Sequence, residues 1–269
     1  MNGSNAIFRQ NKVCILVPTY NNAPMLKRVL DDLLAYTDQI IIVNDGSTDD
    51  TAKILSTFKV ADVVSYPVNK GKGYALRQGF QRALSLGYEY AISIDSDGQH
   101  FADDLPVFLQ ALATNSGSII IGNRNMDQST VPGKSNFGRN FSNFWFTFET
   151  GRSLNDTQSG YRLYPLRRLN DFRWLTRKFE FEIEVLVRSA WAGIPIVEVP
   201  VKVYYPEKGK RISHFRPFRD FTRISILNTV LVAITLLYIK PRNLIRRIKK
   251  KTSGKSYATN SLDRAVRIR

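Results

Sequence analysis

Short apolar runs alternate with helix-patterned segments through the first 120 residues, and this alternation limits the possible folds more than any other feature of the chain. Val13 to Val17 reads as a buried strand, a helix runs from Pro24 through Ala35 with its proline in the first turn, and Ile40 to Val43 is a second strand. Ser47 or Thr48 is expected to cap a short helix. A third strand at Val60 to Tyr66, a helix at Tyr74 to Leu86, a fourth strand at Tyr90 to Ile94, a helix at Leu105 to Ala113 and a strand at Ser118 to Ile121 complete the series. Such a βαβ series predicts an α/β fold with a mainly parallel sheet flanked by helices, because parallel neighbours need a crossover between them. After Gly122 the pattern turns irregular and rich in Asn, Arg and aromatics; it resumes with a helix at Phe181 to Ala192 and an alternating strand at Val197 to Tyr204.

Open parallel sheets bind ligands outside the carboxyl ends of their strands. In this chain those ends carry polar residues in turn. The first is Pro18-Thr19-Tyr20-Asn21-Asn22, where proline fixes the exit and Tyr20 offers a ring to flank a base or ribose. The second is Asn44-Asp45-Gly46-Ser47-Thr48-Asp49. Asp45 can accept from a base N–H or a ribose hydroxyl, although the same spacing also suits a helix start. Between the third strand and its helix lies Asn69-Lys70-Gly71-Lys72-Gly73, two glycines and two lysines that can cradle and neutralise phosphate, or form an exposed turn.

The fourth strand end is Asp95-Ser96-Asp97-Gly98-Gln99-His100. Two carboxylates one residue apart can both face a divalent cation, and Gln99 adds a neutral oxygen; hard oxygen ligands suit Mg²⁺ or Mn²⁺ bridging the phosphates of a nucleotide. A solvated turn is the alternative. His100 is expected to shape the loop rather than ligate, since hard cations prefer oxygen.

Four such motifs in order on successive strand ends resemble the family 2 glycosyltransferases of the GT-A fold, over roughly residues 13–204. Within that family the chain is similar to the dolichyl-phosphate mannose synthase and bacterial polyprenyl-phosphate sugar transferase branch. That likeness rests on Asp95 to His100, Gly122-Asn123-Arg124, Thr157-Gln158-Ser159-Gly160-Tyr161-Arg162 and Glu198-Val199-Pro200-Val201. The resemblance implies that Pro18, Tyr20, Asn22 and Asp45 hold the nucleoside, that Asp95, Asp97 and Gln99 ligate Mg²⁺ or Mn²⁺, and that Ser96 sits beside the ribose or phosphate. It implies further that Arg124, with Arg139 as a second, faces an acceptor phosphate, with Ser142 or Asn143 adding a hydrogen bond. Arg211, followed by Ile212-Ser213-His214, resembles a basic site that closes over the donor diphosphate. Asn22 and Asn44 depart from acidic residues common in relatives, which leaves the donor base open between UDP- and GDP-sugars.

The chemistry so implied is inverting transfer of a sugar from a nucleoside diphosphate, with the metal and Lys72 or Arg211 stabilising the leaving group. A hydroxyl acceptor requires a carboxylate base, whereas a phosphate monoester is already largely anionic at neutral pH. Many glycan-extending relatives carry Gln-x-x-Arg-Trp. This chain has Gln158-Ser159-Gly160-Tyr161-Arg162 instead, which favours a polyprenyl phosphate over a glycan or lipid hydroxyl. Asp156 is the candidate base or supporting carboxylate. Glu180, Glu182 and Glu184 read as helix-face charges, with room for one to face the site.

The formal charge of +16 is unevenly spread: residues 240–269 hold eleven Lys or Arg against one acid. This tail follows the most apolar stretch, Ile224 to Ile239, so an anionic membrane surface is its natural counter-charge; no aromatic interleaving or nucleic-acid motif accompanies it, and nucleic acid is not expected as a partner. Sixteen helical residues span about 24 Å against a hydrocarbon core of about 30 Å, so the stretch is marginal as a crossing. Phe215, Phe218 and Phe221 alternate with Arg216, Arg219 and Arg223, which suits an in-plane helix at an interface. Packing on the domain or on a second subunit, giving a homo-oligomer, is the soluble alternative. The expected organisation is an N-terminal extension (1–12), a catalytic domain (13–212), membrane-associating helices (213–240) and a basic, disordered tail (241–269). Residues 1–12 contain no apolar core of signal-peptide length, so the catalytic region is expected at the cytoplasmic face of the membrane. The single Cys14 lies inside a strand pattern and reads as a buried thiol. A catalytically silent nucleotide-sugar-binding scaffold is the alternative outside the enzymes, because fold alone does not establish chemistry.

Overall fold

The computed structural model describes residues 3–58, 62–124, 133–205 and 216–246. In chain order its elements are α1 (Gly3–Gln10), β1 (Val13–Thr19), α2 (Ala23–Leu34), β2 (Ile40–Asp45), α3 (Thr51–Leu55), β3 (Asp62–Tyr66), α4 (Lys72–Ser85), β4 (Tyr90–Ser93), α5 (Leu105–Thr114) and β5 (Ile119–Arg124). There follow α6 (Gly133–Thr150), β6 (Arg162–Pro165), α7 (Leu166–Asn170), α8 (Phe181–Trp191), β7 (Ile196–Val201) and α9 (Pro217–Ile234). The strands form one seven-stranded sheet in the order β3-β2-β1-β4-β6-β5-β7.

All pairings are parallel except those of β6, which runs antiparallel to both β4 and β5. The reversal follows from where the chain is when β6 begins. β5 ends at the carboxyl edge of the sheet, and the backbone N–H of Gly122 near that end donates to the carbonyl of Tyr161, so the strand starting at Arg162 enters from the same edge and must run back. β1 and β2 are buried at every position, as strands covered on both faces require, while the edge strand β3 alternates between half-buried and exposed.

Several elements differ from the sequence expectation. The residues read as an N-terminal extension form α1, and Phe8 on that helix is fully buried in the same core cluster as Val13, Leu26 and Phe108. The helix expected from a Ser47 or Thr48 cap begins at Thr51 instead; Ser47 and Thr48 are engaged by Asn21 across the sheet end, and the Asp49 Oδ1 accepts from the Thr51 N–H. The irregular stretch after Gly122 contains the 18-residue α6, which carries the Phe-rich run Phe137 to Phe148. Cys14 is fully buried, and its thiol points at the Tyr90 carbonyl at 3.6 Å.

The chain divides into two compact units, Met1–Leu227 and Asn228–Arg269. A continuous helix runs from Phe218 to Arg246, and by length and composition these 29 residues suffice to cross a membrane. At 1.5 Å per residue the helix is about 43 Å long, extending beyond the sixteen-residue apolar stretch Ile224 to Ile239 at both ends. Arg211, His214 and the basic tail beyond residue 246 lie outside the described residues.

Candidate active site

The strand order reverses between β1 and β4: β2 and β3 lie on one side, β6, β5 and β7 on the other. A crevice opens at such a point because the loops after the two strands leave in opposite directions. The β1–β4 register ends at Leu16 and Ser93, so Pro18 lies beyond the pairing with β4 and its missing N–H costs no ladder bond. Pro18 is buried within β1 opposite Val43, a place in the strand rather than at its exit.

Across the crevice the two loops are tied together. The Asn22 side-chain amide donates to Ser96 Oγ at 3.0 Å, and Ser96 Oγ donates to Thr19 Oγ1 at 3.1 Å. Asn22 Oδ1 is buried without a hydrogen-bond partner among the described residues, an acceptor for which they supply no donor. Asp97 Oδ1 accepts from the Gln99 N–H at 3.0 Å, closing the turn after β4, and the Gln99 carbonyl accepts from the Tyr204 N–H.

Asp45 is fully committed to the glycine loop. Its carboxylate accepts from Asn69 Nδ2 at 3.0 Å and from the backbone N–H groups of Lys70 and Gly71, each at 2.8 Å. The loop can close this way because Gly71 adopts φ 100°, a conformation open mainly to glycine, and a Cβ there would stand 2.9 Å from the Arg177 carbonyl. Asp45 therefore orients the turn that launches α4 and its first residue, Lys72.

Lys72 brings the third and fourth strand-end motifs together. Its Nζ lies 2.8 Å from Asp95 Oδ1, 2.9 Å from Oδ2 and 3.1 Å from Glu182 Oε1. Burial works against both charges, but the partners outweigh it: Asp95 and then Glu182 hold the Lys72 ammonium above its ordinary pKa, and Lys72 holds the Asp95 carboxyl below the usual carboxylate range. Gly160 completes this corner. A Cβ on it would come within 2.7 Å of both Asp95 Oδ2 and Lys72 Nζ.

A second charged pair stands at the end of β5. Arg124 Nε and Nη2 donate to Asp156 Oδ2 and Oδ1 at 2.6 and 2.8 Å, and the Arg124 N–H also donates to Oδ2. Burial would raise the Asp156 pKa, yet the guanidinium holds it below the ordinary value. Asp156 sits in a loop fixed from two sides. Glu198 accepts from the Asn155 N–H, the Asn155 amide and the Asp156 N–H, while Asn143 and Ser142 on α6 hold the Thr157 hydroxyl at 2.7 Å each. Ser142 and Asn143 thus serve the loop. Arg139 does not share the Asp156 carboxylate with Arg124, and its Nε is buried without a hydrogen-bond partner among the described residues.

Three residues that the sequence left without a role help to build the site. Gly160 is one, and Glu198 is another. Arg162, the largest fully buried side chain, donates to the carbonyls of Ser159, Thr157 and Glu182, clamping the loop to the start of α8. These three lie inside stretches that carried the family likeness, and that was the available signal. Glu182 also reaches the site, the member of its acidic run for which the sequence reading left that room. The acidic run on α8 is buried throughout rather than solvated: Glu182 faces Lys72, and Glu184 accepts from the Leu175 and Thr176 N–H groups and pairs with Arg188. His100 packs against Tyr161 with ring centroids 5.1 Å apart, and burial drives its pKa down to about 4, so it is neutral at pH 7 and shapes the loop.

The donor set of Asp95, Asp97 and Gln99 is chemically that of a Mg²⁺ or Mn²⁺ site, and the Asp95 side chain is 29% exposed, which leaves it approachable. No cluster of three or more His, Cys, Asp or Glu among the described residues could hold a metal alone. These residues fit an ion that takes its remaining ligands from a diphosphate and water.

A sequence profile described as Glycosyl transferase family 2 matches residues 14–169. Among curated relatives, the UDP-N-acetylglucosamine–dolichyl-phosphate N-acetylglucosaminyltransferase of Methanococcus voltae is 29% identical over 222 residues, covering 72% of this chain and 86% of that protein. The undecaprenyl-phosphate mannosyltransferase of Micrococcus luteus is 27% identical over 212 residues, covering 74% and 86%. Among solved structures, glucosyl-3-phosphoglycerate synthase of Mycobacterium tuberculosis, in complex with Mn²⁺, UDP-glucose and phosphoglyceric acid, superposes with a TM-score of 0.64 at 20% identity, covering 86% of this chain and 82% of that one; it shares the GT-A-like fold. With the family profile spanning more than half of its length, this chain is a glycosyltransferase and belongs to glycosyl transferase family 2.

Proposed function

We propose that the protein is an inverting, metal-dependent glycosyltransferase that moves a sugar from a nucleoside-diphosphate sugar to a polyprenyl phosphate at the cytoplasmic face of a membrane. The donor lies across the β1/β4 crevice. Asn22, Tyr20 and the Asp45-held loop flank the nucleoside, and Lys72 and Ser96 face the phosphates. Asp95, Asp97 and Gln99 hold Mg²⁺ or Mn²⁺, which neutralises charge on the departing diphosphate.

The observation that carries the acceptor assignment is the Arg124–Asp156 pair. Asp156 is the carboxylate expected to serve a hydroxyl acceptor as base, and it is bound bidentately by arginine with its pKa held down. A carboxylate so stabilised is a poor base. A phosphate monoester brings its own negative charge and needs no base, and Arg124 presents the complementary cation. The names of the Methanococcus voltae and Micrococcus luteus relatives, which specify dolichyl and undecaprenyl phosphate, support the same class.

A lipid partner also suits the surface of the catalytic unit. On α6, Phe137 and Phe144 are 66% and 61% exposed, and Phe137, Phe141, Trp145 and Phe148 form a ladder of ring contacts that Phe221 joins through Phe141 at 5.4 Å. Exposed rings in this density, beside exposed Arg216 and Arg219, match the composition of membrane interfaces.

The test is release of nucleoside diphosphate by the full chain in detergent, across UDP- and GDP-sugars with Mn²⁺ or Mg²⁺, with and without polyprenyl phosphate. Release that depends on the lipid phosphate and vanishes in Asp97→Ala is expected. Donor binding with no lipid-stimulated release would overturn the acceptor assignment and return hydroxyl acceptors to the fore.

A further inference from the structure

Lys72 is not positioned as a free phosphate-binding cation. The first turn of α4 is pressed onto α8, where a Cβ on Gly73 would overlap Phe181 at 2.3 Å, and this contact directs the Lys72 side chain inward. There its ammonium spans both oxygens of Asp95 and reaches Glu182, with only 14% of the lysine side chain and 11% of the glutamate side chain exposed. Asp95 is also the first carboxylate of the metal set. A divalent cation that takes Asp95 as a ligand must therefore contend with an ammonium already in contact with both of its oxygens. Like charges this close in a poorly solvated corner repel strongly.

Two features make that ammonium movable rather than merely obstructive. Glu182 gives it a second anchor, so it need not be returned to bulk water when Asp95 turns to another cation. A donor diphosphate offers it further anionic oxygens. Resting on the donor-site reading above, we propose that Lys72 is an internal counter-ion that withholds Asp95 from divalent cations until a diphosphate arrives, so that metal and nucleotide load together and each strengthens the binding of the other. Metal binding ahead of the nucleotide is weak because Lys72 holds its place. Nucleotide binding relieves the competition by drawing the ammonium toward phosphate. By linkage, the factor by which nucleotide tightens metal equals the factor by which metal tightens nucleotide.

The experiment is Mn²⁺ binding to the full chain in detergent, read from the electron paramagnetic resonance signal of free Mn²⁺, with no nucleotide and with saturating UDP or GDP. The wild type is expected to bind Mn²⁺ at least about tenfold more tightly with the matching nucleotide than without it, a coupling of the usual allosteric size. In Lys72→Met the nucleotide-free affinity rises by a similar factor while the affinity with nucleotide changes little, so the coupling collapses. Lys72→Arg, which keeps the cation, retains the coupling, and Lys72→Gln provides the same readout as Lys72→Met should the latter fail to fold. Equal tightening with and without nucleotide would mean that Lys72 acts only as a nearby charge and would overturn the inference, as would unchanged or weaker nucleotide-free binding. Asp97→Ala separates the two levels of the argument. If Mn²⁺ binding survives that change, or is absent from the wild type with either nucleotide, the donor-site reading fails and the inference with it. If binding depends on Asp97 but not on Lys72, only the inference fails.

Discussion

The Asp156 carboxylate meets the Arg124 guanidinium edge to edge, with Nε and Nη2 at 2.6 and 2.8 Å and the carboxylate wholly excluded from solvent. Removing one member of such a pair strands a buried charge, which costs about 3–5 kcal/mol. Asp156→Asn is therefore expected to lower the melting temperature sharply at neutral pH and to reduce turnover by releasing Arg124. The Arg124→Met, Asp156→Leu double variant should regain most of the stability and none of the turnover. Because Asp156 acts through Arg124, the acid limb of the pH profile of kcat/KM should persist in whatever activity Asp156→Asn retains; loss of that limb would mark Asp156 as the base.

The same pair sets an acid sensitivity. Arg124 holds the Asp156 pKa below its ordinary value of 3.8, so the unfolded chain takes up a proton there at higher pH than the folded one. The pair's contribution is thus complete above about pH 4 and is lost as pH falls through the lower, folded value. Asp95, lowered chiefly by Lys72, adds in the same direction. Urea midpoints measured from pH 7 to pH 3 should fall steeply only at the acid end, and the fall should be shallower in Asp156→Asn.

The missing Cβ of Gly160 leaves the space that the ends of Asp95 and Lys72 fill. In Gly160→Ala the new methyl would sit 2.7 Å from each of their terminal atoms, which must move aside. Since those are the ends of side chains and not backbone, the fold should survive with a modest melting shift. Nucleotide-dependent Mn²⁺ binding and sugar transfer should fall at least about tenfold, equivalent to about 1.4 kcal/mol.

Glu198 restrains the loop that carries Asp156, through three N–H groups at 2.8 to 2.9 Å. Glu198→Gln replaces one acceptor oxygen with a donor and should cost about 2 kcal/mol by thermal melt, within the usual range for hydrogen bonds to a charged group. Its kinetic effect should appear in the acceptor KM more than in the donor KM, because the loop it supports holds Arg124 and not the β1/β4 crevice.

Phe137 and Phe144 project from α6 without being part of its packed face. Changing both to Ser should leave the melting temperature unchanged. Turnover with a long-chain polyprenyl phosphate in anionic vesicles should drop several-fold, while turnover with a short, water-soluble analogue is unaffected. Equal loss on both acceptors would argue against an interfacial role for the ridge.

Much of the fold was legible in the sequence because its signals are local. The apolar runs of β1, β2 and β4 and the helices between them follow from periodicity over ten or so residues, and the strand-end motifs announce where a ligand lies in any sheet of this kind. The antiparallel β6 was not legible, since four residues, Arg162–Pro165, carry too short a pattern and owe their direction to where the chain re-enters the sheet. The bounds of α6 were not legible, because its Asn, Ser and Gly residues have weak helix propensity that the packing of its buried face overrides.

Residue identity nominated Asp95, Asp97 and Lys72, because hard oxygens and cations at strand ends suit phosphate chemistry wherever they occur, and the family resemblance added Arg124 and the candidate base Asp156. Which of them meet was decided only by tertiary structure. Lys72 faces Asp95 across 23 positions of sequence and Glu182 across a far longer separation, and Arg124 finds Asp156 across 32. Those pairings depend on sheet order, on a strand reversal and on the close approach that Gly73 and Gly160 permit. A charge in the sequence has a type and an address, but its pKa, its partner and its availability to a ligand come from what the folded chain brings within about 3 Å of it, where burial makes each contact count.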